Sequence, residues 1–322
     1  MMVIASANRR RNIVLKIYGI MAFTMFLWGI NLALLKLLVL DIPPIVMQGT
    51  RIFVAGISLF LILLIMKKKI IYKEMPWKLV LLATLLGVIG HHSLLAAGLQ
   101  QTTAIKSSLI LGLAPLITAI IAVATRSTSL TKLRFFGFVI GFIGISVAVV
   151  EDASAISGFG LGDGLVLGSI IVQAFSFFVI RQITLTIPPL VLTAYLLTIG
   201  SFIMLLYSLV VMPESFAAFT TLQPIMWGIF LFSSILATAV GHSLYNSMIK
   251  KIGTAETAIF TNLSTIFALI GAVVILGEPL HASQIFGCLL IIVGVLIGTG
   301  GIEEWIRARK LKNQPQEQYE GS

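Results

Sequence analysis

The stretch GVIGHHSLLAAGLQ (87–100) places two histidines in an apolar segment, and TAVGHSLYNSMIKK (238–251) returns to the same words. His92-Ser93-Leu94 and His242-Ser243-Leu244 stand at an offset of 150 residues. Sliding the chain over itself at that offset also pairs Trp77 with Trp227, Leu130 with Leu280, Phe136-Gly137 with Phe286-Gly287, and Gly144 with Gly294. At an offset of 145, IPPIV (42–46) falls on IPPLV (187–191), and the five residues of difference lie near MPESFAAFTTLQP (212–224). The chain is written twice.

What is repeated is apolar. Of the 322 residues 58% are hydrophobic and only 11% charged, with a mean hydropathy of +1.06, where soluble domains run near a quarter charged. Runs of about 20 apolar residues are long enough to cross a hydrocarbon core as helices, and in lipid only helices or closed barrels satisfy every backbone group. Ten such runs are predicted, at about 15–39, 45–66, 77–99, 103–125, 133–150, 161–182, 189–211, 225–249, 254–276 and 283–301. The fold class expected is an all-α polytopic membrane protein. Five spans per copy is an odd number, so the second copy enters the membrane upside down. Inverted repeats of this kind put a binding site near mid-membrane at the repeat interface, where rocking can expose it to either side in turn.

A net charge of +10 raises the question of nucleic acid, and the distribution answers it. With ten spans and the N-terminus inside, all of the 22 Lys and Arg except Lys36, Arg51 and Lys106 fall on one side. That is the positive-inside pattern, so the basic excess is topology and no nucleic-acid partner is expected. Both termini are placed in the cytoplasm and the chain in the plasma (inner) membrane. The expected divisions are a basic N-terminus at 1–14, a first repeat at 15–150, an external linker at 151–160, a second repeat at 161–301 and a polar tail at 302–322. The opening ANRRRNIVLKIYGIMAFTMFLWG (7–29) has too long an apolar part for a signal peptide and is read as a retained first span. One cysteine, Cys288, permits no internal disulfide.

LWGINLALLK (27–36) followed by Pro43-Pro44 and Arg51, LGDGL (161–165), and LGEPLHASQIFGCLLIIVGVLI (276–297) together resemble the EamA-type transporters of the drug/metabolite transporter superfamily. GHSLYN (241–246) is similar to a variant found in one subset of that family. The resemblance spans about residues 17–300. It implies two inverted halves, a central cavity lined by helices one, three, four, six, eight and nine, and export or exchange of small metabolites. Two departures make the halves unequal: Arg126-Ser127-Thr128 stands where the second copy has Leu276-Gly277-Glu278, and Thr265 stands where Pro115 does.

Residues three or four apart share a helix face. Helix eight thereby gathers Ser234, Thr238, His242, Tyr245 and Asn246 into a polar stripe, of which helix three keeps only Thr84 and His92. Such a stripe at lipid depth must face protein or water. Helix one offers Trp28 and Asn31, helix six the matching Gln173, Ser176 and Phe177, and helix nine Thr257, Thr261, Asn262 and Thr265. Trp28 and Phe177 would form an apolar wall while the amides and hydroxyls orient a solute. The substrate-binding set expected is Trp28, Asn31, His92, Gln173, Ser176, Thr238, His242, Tyr245, Asn246, Asn262 and Thr265. For each, helix packing is the competing explanation. For His92 and His242 three roles stay open: substrate hydrogen bonding, interhelical bonding and a proton relay. His91, about 100° around the helix from His92, is expected to pack.

The charges near helix ends carry structural expectations. Lys36 and Arg51 snorkel to the outer interface, Asp163 caps helix six, and Glu278 occupies an outer turn. Lys106 and Glu256 hold equivalent positions on opposite faces. Gly137-x3-Gly141 and Gly294-x3-Gly298 mark close helix approaches, either internal or through a homodimer. No carboxylate lies in mid-span, which argues against a carboxylate-coupled pump. The function expected is transport of a small neutral or zwitterionic solute such as an amino acid. The alternatives are a proton-coupled efflux pump using His92 and His242, a channel, or a membrane-embedded enzyme. An enzyme would need a nucleophile with its base or a metal cluster. The four histidines (91, 92, 242, 281) lack a mid-membrane acid to orient them, so no catalytic site, metal or cofactor is expected.

Overall fold

The computed structural model describes residues 2–125, 129–149 and 159–299, and within them the chain is all helix and connecting turn. The Arg126-Ser127-Thr128 turn, most of the 151–160 linker and the 302–322 tail lie outside the described residues. Among the described residues eight helices are long and apolar enough to cross a membrane. In chain order α1 is Met2–Asp41, with its apolar part at Lys16–Asp41; α2 is Pro44–Ile65, α3 Trp77–Gln101 and α4 Ala104–Ala124. After α5 (Lys132–Val149) come α6 (Leu161–Ile183), α7 (Pro189–Val211), α8 (Pro224–Ile252) and α9 (Thr257–Leu276), the last preceded by a short turn of helix from Thr254. Helix α10, Ala282–Gly298, is shorter but equally apolar.

Local chemistry sets the boundaries. Pro44, Pro189 and Pro224 each open a helix, where a missing N–H costs nothing. Gly277 ends α9 at φ 68°, the left-handed cap that favours glycine. Helix α4 breaks at Gly112-Leu113, because Pro115 has no N–H to give the Leu111 carbonyl. Its counterpart α9 also breaks, at Phe260, although Thr265 occupies the place of Pro115.

Packing joins the two halves. Helices α2 and α7 run along one another, as do α5 and α10, α1 and α9, and α3 and α6. The α5–α10 contact depends on small residues: a Cβ at Gly294 would lie 2.7 Å from Gly141 Cα and 2.8 Å from the Gly137 carbonyl oxygen. The two glycine faces thus meet each other inside one chain. Large apolar side chains cover the outside of the bundle, among them Leu64, Ile65, Val210 and Val274, which is the arrangement a lipid solvent selects.

Helix α6 fixes which turns lie at which end. At its start Asp163 Oδ2 accepts from the Gly160 N–H at 2.9 Å, capping the helix, and Oδ1 accepts from Thr102 Oγ1 at 2.5 Å. At its end Arg181 Nη1 donates to the carbonyls of Ile249, at 3.0 Å, and Lys250. The α3–α4 turn and the end of α8 are therefore at opposite ends of the bundle. Helix α1 runs between the same two ends in the other sense: Lys36, near its end, donates to the carbonyls of Leu99 (2.6 Å) and Thr102 (2.7 Å), while Tyr18 meets Phe260, at the break in α9, edge to face. Lys36 and Arg181 correspond at the 145 offset, and each closes the carbonyl end of a helix, a favourable place for a cation. Lys36 thus caps a helix rather than snorkelling to an interface. Glu278 likewise reaches beyond its own turn, accepting from the Ala104 and Ile105 N–H groups at 2.8 and 2.9 Å at the start of α4. Lys106 is buried, and the side chain of Glu256 lies outside the described residues.

Candidate functional site

The centre of the bundle holds a cavity of about 130 Å³; one water needs ~10–15 Å³, so the space suits a solute of roughly ten non-hydrogen atoms. Helices α1, α3, α4, α6, α8 and α9 line it, as the family resemblance implied, and α2 contributes Arg51. Eight of the eleven expected residues stand in its wall: Trp28, Asn31, His92, Gln173, Thr238, His242, Tyr245 and Thr265. Ser176 and Asn246 instead line an adjoining cleft of about 10 Å³ between α3, α6, α7 and α8. There Asn246 Nδ2 donates to Thr193 Oγ1 at 2.9 Å, and Ser176 Oγ donates to the Ala83 carbonyl at 3.2 Å. Asn262 borders neither space.

Two widened turns shape this wall. Helix α3 is π-helical at Leu85–Gly90 and α8 at Phe232–Val240, immediately before the histidines of each copy. A π turn displaces the i→i−4 ladder and recurs at functional sites. Here it turns α8 backbone groups toward neighbours: the Ala237 carbonyl accepts from Trp28 Nε1 at 2.9 Å, and the Ser233 carbonyl accepts from Arg51 Nη1 at 3.3 Å.

A continuous run of rings follows. His91 meets His92 at 4.8 Å between centroids, His92 meets His242 at 5.5 Å, His242 meets Trp28 at 5.0 Å, Trp28 meets Tyr245 at 4.8 Å, and Tyr245 meets Phe177 at 4.8 Å. The two histidines that mark the repeat are thus neighbours at its centre. His242 Nδ1 lies 3.1 Å from the Thr238 carbonyl and His91 Nδ1 lies 3.0 Å from the Ser169 carbonyl. A carbonyl only accepts, so both rings donate through Nδ1, and in the neutral ring Nε2 is then the acceptor. His91 was expected to pack; it does meet α6 at the Ser169 carbonyl, and it borders the cavity as well.

Several buried polar atoms in the wall have no hydrogen-bond partner: both His92 ring nitrogens, Asn31 Oδ1, Gln173 Oε1, Tyr245 Oη and Thr265 Oγ1. Buried polar groups are paired in the great majority of cases. Among the described residues half of the unpartnered buried side-chain atoms belong to this wall, each a bond that a small rotation toward the cavity would offer to a solute or water.

Arg51 is the residue that sequence reasoning misplaced. Expected at the outer interface, it is 1% exposed and lies in the cavity wall. Its Nε donates to Gln48 Oε1 at 3.0 Å and its Nη2 to the same oxygen, while Nη1 reaches Ser233 Oγ at 3.2 Å and Thr238 Oγ1. Snorkelling fails because Arg51 sits two turns inside α2, facing the π segment of α8, whose exposed carbonyl and hydroxyls receive it. A signal existed: at the two offsets Arg51, Ser233 and Thr238 fall on Leu196, Ala83 and Val88, so three polar residues without counterparts converge.

Comparison with known proteins agrees with this architecture. The model of the EamA-like transporter family matches residues 15–150 and again 160–299. The uncharacterized transporter YyaM of Bacillus subtilis (strain 168) is 28% identical over 222 residues, 68% of this chain and 72% of that protein. The uncharacterized transporter YvbV of the same organism is 26% identical over 283 residues, covering 86% and 90%. The WAT1-related protein At3g02690, chloroplastic, of Arabidopsis thaliana is 24% identical, covering 84% and 66%. A solved crystal structure superposes with a TM-score of 0.63 at 17% identity, over 91% of this chain and 98% of that one, a likeness of fold.

Proposed function

The chain belongs to the EamA-like transporter family, a family of membrane-embedded transporters rather than enzymes, and from that premise we propose that it moves a small amino acid or related zwitterionic metabolite by alternating access. The observation that carries this reading is the central cavity of about 130 Å³. It joins an aromatic wall, Trp28, Tyr245 and Phe177, to unpartnered polar atoms on Asn31, His92 and Gln173, the usual division of labour in a small-molecule site. Helices α5 and α10 complete ten spans in two inverted halves, with the repeats at 15–150 and 161–301. The opposed directions of α1 and α6 support the inversion. The basic loops support a plasma (inner) membrane orientation with both termini in the cytoplasm.

Among the described residues no carboxylate lines the cavity. That favours exchange or facilitated export over a carboxylate-coupled pump. A second reading, proton-coupled efflux, draws on one observation, the 5.5 Å approach of His92 to His242. A thermal-shift screen of the detergent-solubilised protein, amino acids first, followed by counterflow in proteoliposomes, tests the first reading. Counterflow should survive collapse of the pH gradient. Its loss would favour the histidine-coupled pump, and failure of every solute to exchange would refute transport of this class.

A further inference from the structure

Among the described residues Arg51 alone brings a fixed charge to the wall of the central cavity. A guanidinium has five N–H donors. Gln48 Oε1 takes Nε–H and one Nη2 hydrogen, and Nη1 is shared among the Ser233 carbonyl, Ser233 Oγ and Thr238 Oγ1. All of these acceptors are neutral, so the group is held firmly while its charge stays uncompensated, and one Nη2 hydrogen is uncommitted. A buried cation without a counter-charge is expensive to hold.

The fold itself does not demand that charge. The helix pair related to α2 and α8 by the repeat is α7 and α3, where Leu196, Ala83 and Val88 occupy the places of Arg51, Ser233 and Thr238. Those three side chains border one cleft and belong to one apolar cluster. The same helix pairing is therefore made with apolar side chains at those three positions, so the Arg51 bonds to α8 are not required for it and the charge calls for a further role.

We propose that Arg51 is the anion-recognition residue of the transport site, and that the substrate class is small organic monocarboxylates, zwitterionic amino acids included. This rests on the transporter reading above and goes beyond it by assigning the charge. A carboxylate accepts bonds from a guanidinium and from an imidazole N–H together, and both His92 nitrogens are buried and unpartnered in the same wall. One fixed cation in the lining fits one negative charge rather than a phosphate dianion or a dicarboxylate. The same field disfavours a solute that is only cationic. The rest of the solute lies against the rings of Trp28, Tyr245 and Phe177.

The test uses matched pairs that differ only in charge: leucine and leucinamide, phenylacetate and phenylacetamide, benzoate and benzamide. Thermal stabilisation of the full chain in detergent gives the half-effective concentration of each, and the best binder goes into counterflow with proteoliposomes. At least one carboxylate should act at roughly a tenfold lower concentration than its amide, the loss expected for one charged partner. Arg51→Lys should keep part of that preference and Arg51→Leu erase it. Amides as effective as acids, no binding by any carboxylate, or an Arg51→Leu variant that keeps the preference would overturn the proposal. Should the variants fail to fold, the wild-type pairs still decide it. A carboxylate preference without counterflow would instead count against the transport reading and leave the recognition assignment standing.

Discussion

The α2–α8 pair and the α7–α3 pair are the same piece of the fold written twice, and they are chemically opposite. In the first, Arg51 and Gln48 meet Ser233 and Thr238 beside a cavity of about 130 Å³. In the second, Leu196 faces Ala83 and Val88 beside a cleft of about 10 Å³ that has room for about one water. Duplication supplied the scaffold, and divergence of a few side chains left one half walling a cavity and the other closely packed. His242, Gln173 and Phe177 border both spaces, so the two halves share one seam.

Breaking the comparison from the apolar side should have the largest effect. Leu196→Arg places a cation where no carbonyl or hydroxyl is turned to receive it, and an uncompensated buried charge costs about 3–5 kcal/mol. Thermal unfolding in detergent should show this as a large loss, while Arg51→Leu, the reverse exchange, should lose less, because relief of the buried charge offsets the acceptors it leaves on Gln48, Ser233 and Thr238. Thr238→Val, the residue that Val88 supplies in the other half, removes an acceptor from the guanidinium and should cost about 1.5–3 kcal/mol. The same change should not be rescued by a carboxylate that binds the wild type. His242→Ala sharpens the comparison most gently: its Nδ1 bond stays within α8, to the Thr238 carbonyl, and its half-buried ring borders a cavity that already exists, so the melting temperature should move little while counterflow falls. A folding defect in that variant would assign His242 to holding helices rather than solute.

The helices and their duplication were legible because apolar runs and paired motifs survive at fixed offsets. Helix ends were legible for similar reasons, at Pro44, Pro189 and Gly277. The π turns were not. Both copies widen at matching places, Leu85–Gly90 and Phe232–Val240, so the 150 offset is preserved and carries no trace of them. Hence the α8 carbonyls of Ser233 and Ala237 that receive Arg51 and Trp28 went unseen. Arg51 was misread because a cation near a predicted span end usually snorkels, and only its missing counterpart, Leu196, argued otherwise. Asn262, chosen for its neighbours Thr261 and Thr265, borders neither space because side chains one apart on a helix point about 100° away from each other.

The claim that the central cavity is the transport path is tested most directly by closing it in folded protein. Ser264 lines the cavity and is half-buried, and Cys288 is the single native thiol. In a Cys288→Ser background, Ser264→Cys should support counterflow until a methanethiosulfonate reagent, with labelling confirmed by mass, reduces it to the level of protein-free vesicles, and bound solute should slow the labelling. Counterflow that continues unchanged in fully labelled protein would show that the solute travels elsewhere.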